Sequence, residues 1–333
     1  MDGAGECLGI IALGGGYLPS DLDAASAGMK RATPLVIDFP TNGVSNSFGG
    51  GDTADQEIAL DLQVIAGIVP NARMVIYFAA NTTQGLTEAI PAAISDDVNR
   101  PHVLSISWGS AEKFWMVSAR QALEDVLVDA VKVQVTIVAA AGDFLATGGL
   151  TDGRAHVLFP ASSPHVLACG GTQITLAPDG TVHEETVWND IFEGTGGGIS
   201  DIFELPDYQQ GAKVPLSFND RKQGRGVPDV SAASANTPGY RIVLNGAAMV
   251  KDGTSAATPI WAGLVTLANQ KRGMPLGLIQ PLLYENPSLC RAITKGNNRV
   301  NGVGYDAGPG WNACTGLGVP KGIETLNGLA AVG

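Results

Sequence analysis

Three groups of residues in this chain have the types and spacing needed for chemistry. Ser255 stands in Gly253-Thr254-Ser255-Ala256-Ala257-Thr258-Pro259, at the head of an apolar segment, Ser255–Arg272, with a helical pattern. At such a position the serine's own N–H and the helix dipole can face a developing negative charge. A serine becomes a nucleophile only beside a general base, and a simple Ser/Thr helix cap accounts for Gly-Thr-Ser equally well. Glu57 and Asp61 lie four residues apart in a segment that reads as a helix over Thr53–Gly67, so they share one face. Val64 and Ile68 continue that stripe. Like charges at this spacing repel, so the pair is either a solvated acidic edge or two carboxyls held for a purpose. Asp143 follows an apolar run and Gly142, which places it at the C-terminal end of a strand, where the sites of open α/β sheets gather.

Other chemistries fit less well. The histidines are His102, His156, His165 and His183, and no two stand at i, i+4; His183-Glu184-Glu185-Thr186-Val187 begins like a zinc-peptidase helix but ends in valine. Leu8–Leu13 runs into Gly14, Gly15 and Gly16, and Asp38 ends the next strand, as in a dinucleotide-binding unit. The third glycine of that fingerprint is replaced by Pro19, so a tight turn is the better reading. The cysteines, Cys7, Cys169, Cys290 and Cys314, form no CxxC and read as buried thiols, although Cys290 and Cys314 could pair.

These residues need a scaffold, and composition and periodicity describe one. The 333 residues include 45% apolar and 16% charged residues, which suits a large folded core. Lys and Arg number 20 against 32 Asp and Glu, a net charge of −12 with no basic run, which argues against nucleic acid as a partner. No apolar segment reaches the ~18 residues needed to cross a membrane, and the first residues show no basic signal-peptide region. Strands are expected at Leu8–Leu13, Leu35–Phe39, Met74–Phe78, Val103–Ser107, Val133–Ala140 and Val166–Ala168. They are continuous apolar runs, the mark of parallel strands covered on both faces. Helices are expected between them at Asp21–Met29, Thr53–Gly67, Leu86–Asp97 and Val117–Val131, with Thr53 and Gln56 as a capping box for the second. The pattern predicts a doubly wound, mostly parallel α/β sheet with helices on both faces, in one domain spanning 1–333.

The order of motifs along the chain adds a resemblance. IIALGGGY, EIALDLQVIAGIVP, SISWG, AAAGD, FPASSPHVLACGGT, ETVWND, GTGGGIS, GRGVPDV, DGTSAATP and AGPGWNACTGLG together resemble the sedolisin family of serine-carboxyl peptidases, in its kumamolisin branch. That family has the subtilisin fold and uses glutamate where subtilisins use histidine. The resemblance implies Ser255 as nucleophile, Glu57 as general base, Asp61 as its orienting partner and Asp143 as an oxyanion-hole donor. It also implies that Ser107, Trp108 and Gly109 pair with the substrate backbone, with Gly142 beside them in the binding cleft.

Three departures accompany the resemblance. Ala12 stands where many members carry a glutamate before Leu-Gly-Gly-Gly. Ala292 and Asn312 stand where the family's calcium-binding aspartates belong, so no cofactor is expected and the calcium site is expected to be degraded. Members of the family are made with a long N-terminal prosegment that is not among these 333 residues: it was removed, or omitted, or never made. The implied function is an endopeptidase acting at acidic pH, as a monomer, on peptide or protein substrates, with no nucleic-acid or membrane partner. A nucleotide-dependent oxidoreductase and a non-catalytic peptide-binding relative are the alternatives.

Overall fold

The computed structural model describes residues 1–331. The first half alternates β1 (Cys7–Leu13), α1 (Pro19–Gly28), β2 (Val36–Pro40), α2 (Thr53–Ile68), β3 (Arg73–Ala79), α3 (Thr83–Ile94), β4 (Val103–Ile106), β5 (Ser110–Ala111), α4 (Val117–Lys132) and β6 (Thr136–Ala140). The second half adds β7 (Leu158–Phe159), β8 (Leu167–Leu176), β9 (Val182–Val187), β10 (Gly198–Ile199), β11 (Gly226–Val227), β12 (Val230–Ala233), β13 (Tyr240–Leu244) and β14 (Ala247–Lys251). It closes with α5 (Thr254–Arg272), α6 (Gln280–Glu285), β15 (Cys290–Arg291), β16 (Val319–Pro320) and α7 (Ile323–Ala331).

The main sheet runs β12-β8-β6-β4-β1-β3-β2, every neighbour in that path parallel, with β9 antiparallel on β8. All seven residues of β1 are buried, because helices cover both faces. The two-residue period sorts them. Leu8, Ile10 and Ala12 join Ile58, Leu62, Trp261 and Val265 of α2 and α5, whereas Ile11 and Leu13 join Leu86, Ile90, Leu123 and Leu127 of α3 and α4. The helices α2 and α5 lie close together, since a Cβ on Gly263 would sit 2.9 Å from Ile68 Cγ2. From β1 the chain order builds toward β3 and β2 on one side and toward β4, β6, β8 and β12 on the other. The reversal lies between β1 and β4, and crevices open at the strand C-termini at such a point.

Several boundaries differ from the sequence expectation. The α2 cap is Asp52, whose side chain accepts from Ala54 N and Asp55 N; Gln56 donates to Gly51 O, so Thr53 and Gln56 form no capping box. Strand β6 starts at Thr136, because Val133 closes α4 and Gln134 takes a left-handed turn with φ 58°. Helix α3 starts three residues earlier than expected, capped by the Thr82 hydroxyl on Gly85 N. Strand β8 runs on to Leu176 because its outer half pairs with β9. All four cysteines are buried free thiols.

Candidate active site

The candidate nucleophile, base and oxyanion residue come from three elements around the sheet's C-terminal edge. Ser255 is the second residue of α5, 5% exposed. It follows Gly253, whose φ of 111° suits glycine, and a Cβ there would lie 2.9 Å from Asp143 Oδ2. Glu57 and Asp61 project from one face of α2, as their spacing required. Asp143 follows β6 through Gly142.

Asp61 is buried, and its Oδ1 accepts the Ser107 hydroxyl at 2.7 Å. Ser107 also reaches Ser255 O at 3.4 Å, so it ties α2 to the head of α5 just beyond the end of β4. Two buried carboxylate oxygens, Glu57 Oε1 and Asp61 Oδ2, have no donor. One proton held by the pair would satisfy atoms that otherwise cost free energy to bury. Burial pushes Glu57 up to about 7, with the Asp143 charge adding to the rise and the Ser255 hydroxyl and Lys251 opposing it. Asp61 rises well above the ordinary carboxyl range, through burial and then the Glu57 charge.

Asp143 Oδ1 accepts two hydrogen bonds from Thr254, from its N–H at 2.7 Å and its hydroxyl at 2.7 Å. The Thr254 hydroxyl oxygen in turn accepts Gly142 N at 3.0 Å. Burial raises the Asp143 pKa against these Thr254 donors. Thr254 is the residue the sequence did not single out; its neighbour Ser255 carried the motif, and only the fold brings Thr254 against Asp143.

Trp108, Gly109 and Gly142 line a cavity of about 340 Å³ that also touches Ser107, Asp143 and Ser255. The Ser107 side chain is engaged by Asp61, so its role reaches the acid pair as well as the cleft. The histidines stand elsewhere: His102 near Glu6, His156 on Asp152, His165 on Glu124, and His183 exposed on β9.

The constellation of carboxyl pair, helix-head serine and buried aspartate is what the motif order implied, and comparisons with known proteins give its family. The sequence model described as "Subtilase family" matches residues 43–286. The chain is 44% identical to kumamolisin of Bacillus sp. (strain MN-32), over 99% of this chain and 61% of that protein. The chain belongs to the subtilase family, in its sedolisin branch. It is 30% identical to sedolisin of Pseudomonas sp. (strain 101), over 95% of this chain and 56% of that protein. Human tripeptidyl-peptidase 1 is 30% identical over 82% of this chain and 51% of its own length. The chain thus spans roughly half to three-fifths of these curated relatives. A solved structure of Pseudomonas sedolisin, complexed with two molecules of pseudo-iodotyrostatin, superposes with a TM-score of 0.83 at 28% identity, covering 96% of this chain and 90% of that one.

The sedolisin-branch membership raises the two remaining site questions, calcium and nucleotide. Asn312 is buried; its Oδ1 accepts Cys314 N at 3.1 Å, Thr315 N at 3.0 Å and Thr315 Oγ1 at 3.1 Å, while Nδ2 donates to Ile293 O at 3.1 Å. The amide N–H thus occupies a carbonyl oxygen that a calcium ion at this position would need as a ligand. The Gly14–Gly16 turn is likewise closed. Asp55 accepts Gly16 N at 2.7 Å, and a side chain on Gly16 would run into Asn46, Ser47 and Phe48. That turn packs on the start of α2 and leaves no room for a pyrophosphate. No helix among the described residues is long and apolar enough to cross a membrane.

Proposed function

We propose that the chain is a serine-type endopeptidase that cleaves peptide or protein substrates through Ser255, Glu57, Asp61 and Asp143 and works best in mild acid. The observation that carries this reading is that the helix-head Ser255 and the buried Asp143 line one cavity, with the buried carboxyl pair joined to Ser107 of the same cavity through Asp61. Ser255 Oγ attacks the peptide carbonyl carbon as its proton passes to Glu57. Asp61 shares a proton with Glu57, and Ser107 fixes the outer oxygen of Asp61. The oxyanion forms beside the Ser255 N–H and the protonated Asp143, held by Thr254. As the intermediate collapses the C–N bond breaks, and the departing amine takes the proton from Glu57. Water then attacks the acyl-enzyme with Glu57 again accepting a proton, which releases the acid and restores Ser255.

The titration of the site supports an acidic optimum. The pair functions with one proton between its two carboxyls, and burial, which raises both groups, keeps that proton on the pair above the ordinary carboxylate range. Asp143 must also be protonated to donate. A histidine base, by contrast, is lost below about 6.5. The same reading has the C-terminal loop held by Asn312 without calcium, in a monomer. Peptide cleavage across pH, parent beside Ser255→Ala, tests the proposal. Cleavage by the alanine variant at the parent's rate would refute it.

A further inference from the structure

Lys251 ends β14, four residues before Ser255, and its half-buried side chain reaches back to α2. Its Nζ donates to Gln56 Oε1 at 3.0 Å, and the other end of that amide donates to Gly51 O at 2.9 Å. Gln56 directly precedes Glu57. A second glutamine, two turns along α2, fixes the same hairpin: Gln63 donates to Val243 O at 2.7 Å and accepts Val243 N at 2.8 Å. Between the two glutamines, Ala59 and Leu60 pack with Ile242 and Leu244 of β13. The hairpin of β13 and β14 therefore lies fixed along the helix that carries Glu57 and Asp61, and the Lys251 ammonium is held beside its first turns.

The elements around that ammonium bring carboxyls. Glu57 and Asp61 come from α2, Asp143 from the loop after β6, Asp190 and Glu193 from the loop after β9, and Asp252 follows Lys251 itself. Among the described residues no Lys, Arg or His lines the cavity beside Ser255. Burial raises Glu57, Asp143, Glu193 and Asp252, and the Lys251 charge opposes that rise in all four. Asp252 acts on Asp143 in the opposite sense, and Asp190 does so on Glu193 and Asp252. We propose that Lys251 is a positioning residue for peptide cleavage: tied to α2 through Gln56, its ammonium acts through Glu57 and Asp143 and holds the working pH range toward acid. This inference rests on the peptidase reading and adds a residue to it. The acid pair must keep a carboxylate free to take the Ser255 proton, while Asp143 must keep a proton to donate. A cation beside both favours their ionised forms, so it extends the active range at the acid end and shortens it at the basic end.

The test is kcat/KM across pH for a peptide without charged residues. Lys251→Met should move both limbs of the profile to higher pH. At a fixed pH on the acid limb its rate, relative to its maximum, should fall roughly 3-fold, and on the basic limb it should rise roughly 3-fold, the scale of a partly exposed ion pair. Lys251→Arg keeps the charge and should restore the parent's profile. Asp252→Asn removes the opposing charge and should move the basic limb the other way, to lower pH. The position of a limb, unlike its height, does not depend on how much enzyme is folded, so a purely structural loss does not imitate these shifts. Lys251→Gln serves if Lys251→Met does not fold. Limbs that stay in place or move to lower pH in the neutral variant, or a Lys251→Arg profile that follows the neutral variant, would overturn the role of Lys251 and leave the peptidase reading standing. No cleavage by the parent at any pH, or cleavage by Ser255→Ala at the parent's rate, would sink both.

Discussion

Thr254 grips Asp143 at one oxygen with two atoms, its N–H and its hydroxyl each 2.7 Å from Asp143 Oδ1. The residue that begins the helix of Ser255 therefore also fixes Asp143, 111 positions away in sequence. Oδ1 is occupied, and Oδ2 is the oxygen Gly253 lies against; in the proposed mechanism Oδ2 carries the proton.

Thr254→Val keeps the shape and the N–H but deletes one donor to Asp143 and leaves Gly142 N without its acceptor. Its kcat should fall roughly 10- to 100-fold with KM little changed, since the lost contact positions a group that acts in the transition state. Thr254→Ser should recover most of the activity. A loss in KM alone would remove Thr254 from this role.

Ser255→Ala should lower kcat/KM at least ~10³-fold, as no other group can form the acyl-enzyme. A peptide aldehyde should form its covalent adduct with the parent and not with the variant, read by mass spectrometry. An adduct on the alanine variant would move the nucleophile elsewhere.

The rate should be bell-shaped in pH. On the acid side activity falls as the Glu57/Asp61 pair takes a second proton. On the basic side it falls as the pair gives up its shared proton and Asp143 ionises, both above the ordinary carboxylate range because burial raises all three groups. Asp143→Asn retains a donor that cannot ionise, so its basic limb should become shallower, governed by the pair alone. A parent profile flat from neutral to alkaline pH would rule out both carboxyl roles.

Stability should follow the same carboxyls. Burial raises Glu57 and Asp61, so the folded state holds protons that the unfolded chain releases. Their protonated forms favour folding most fully below the ordinary carboxyl range near 4, and that contribution is lost as pH rises, for Glu57 through about 7. The melting temperature should be higher at pH 5 than at pH 8. Glu57→Gln, which cannot ionise, should shrink the gap. An unchanged gap in the variant would place the effect on other groups.

Chelator should leave the melting temperature unchanged, whereas Asn312→Ala should lower stability by about 2–4 kcal/mol. Three donors to Oδ1 and the Ile293 carbonyl would lose a buried partner. Denaturant titration with and without calcium reads both. A chelator-induced fall in melting temperature that added calcium reverses would show the loop to be metal-held.

By itself the sequence determined what is local along the chain. The continuous apolar runs specified parallel strands buried on both faces, and four-residue spacing set Glu57 and Asp61 on one helix face. Gly253 before an apolar helix marked where Ser255 would stand. Those features depend on neighbours within a turn or two of backbone. Tertiary structure decided the rest, because it depends on which loops meet. Thr254 binds Asp143 only because β6 ends and α5 begins at the same edge of the sheet. Ser107, 46 residues from Asp61, turns its hydroxyl to the acid pair because β4 ends beside α2. Leu158 comes to line the cavity through the pairing of β7 with β5. Even the α2 cap followed this rule: Gln56 is drawn to Gly51 O and to Lys251 of the distant β14, and Asp52 takes the cap instead. Periodicity records the preferences of one segment; long-range hydrogen bonds and cavity walls join segments whose meeting no single segment encodes.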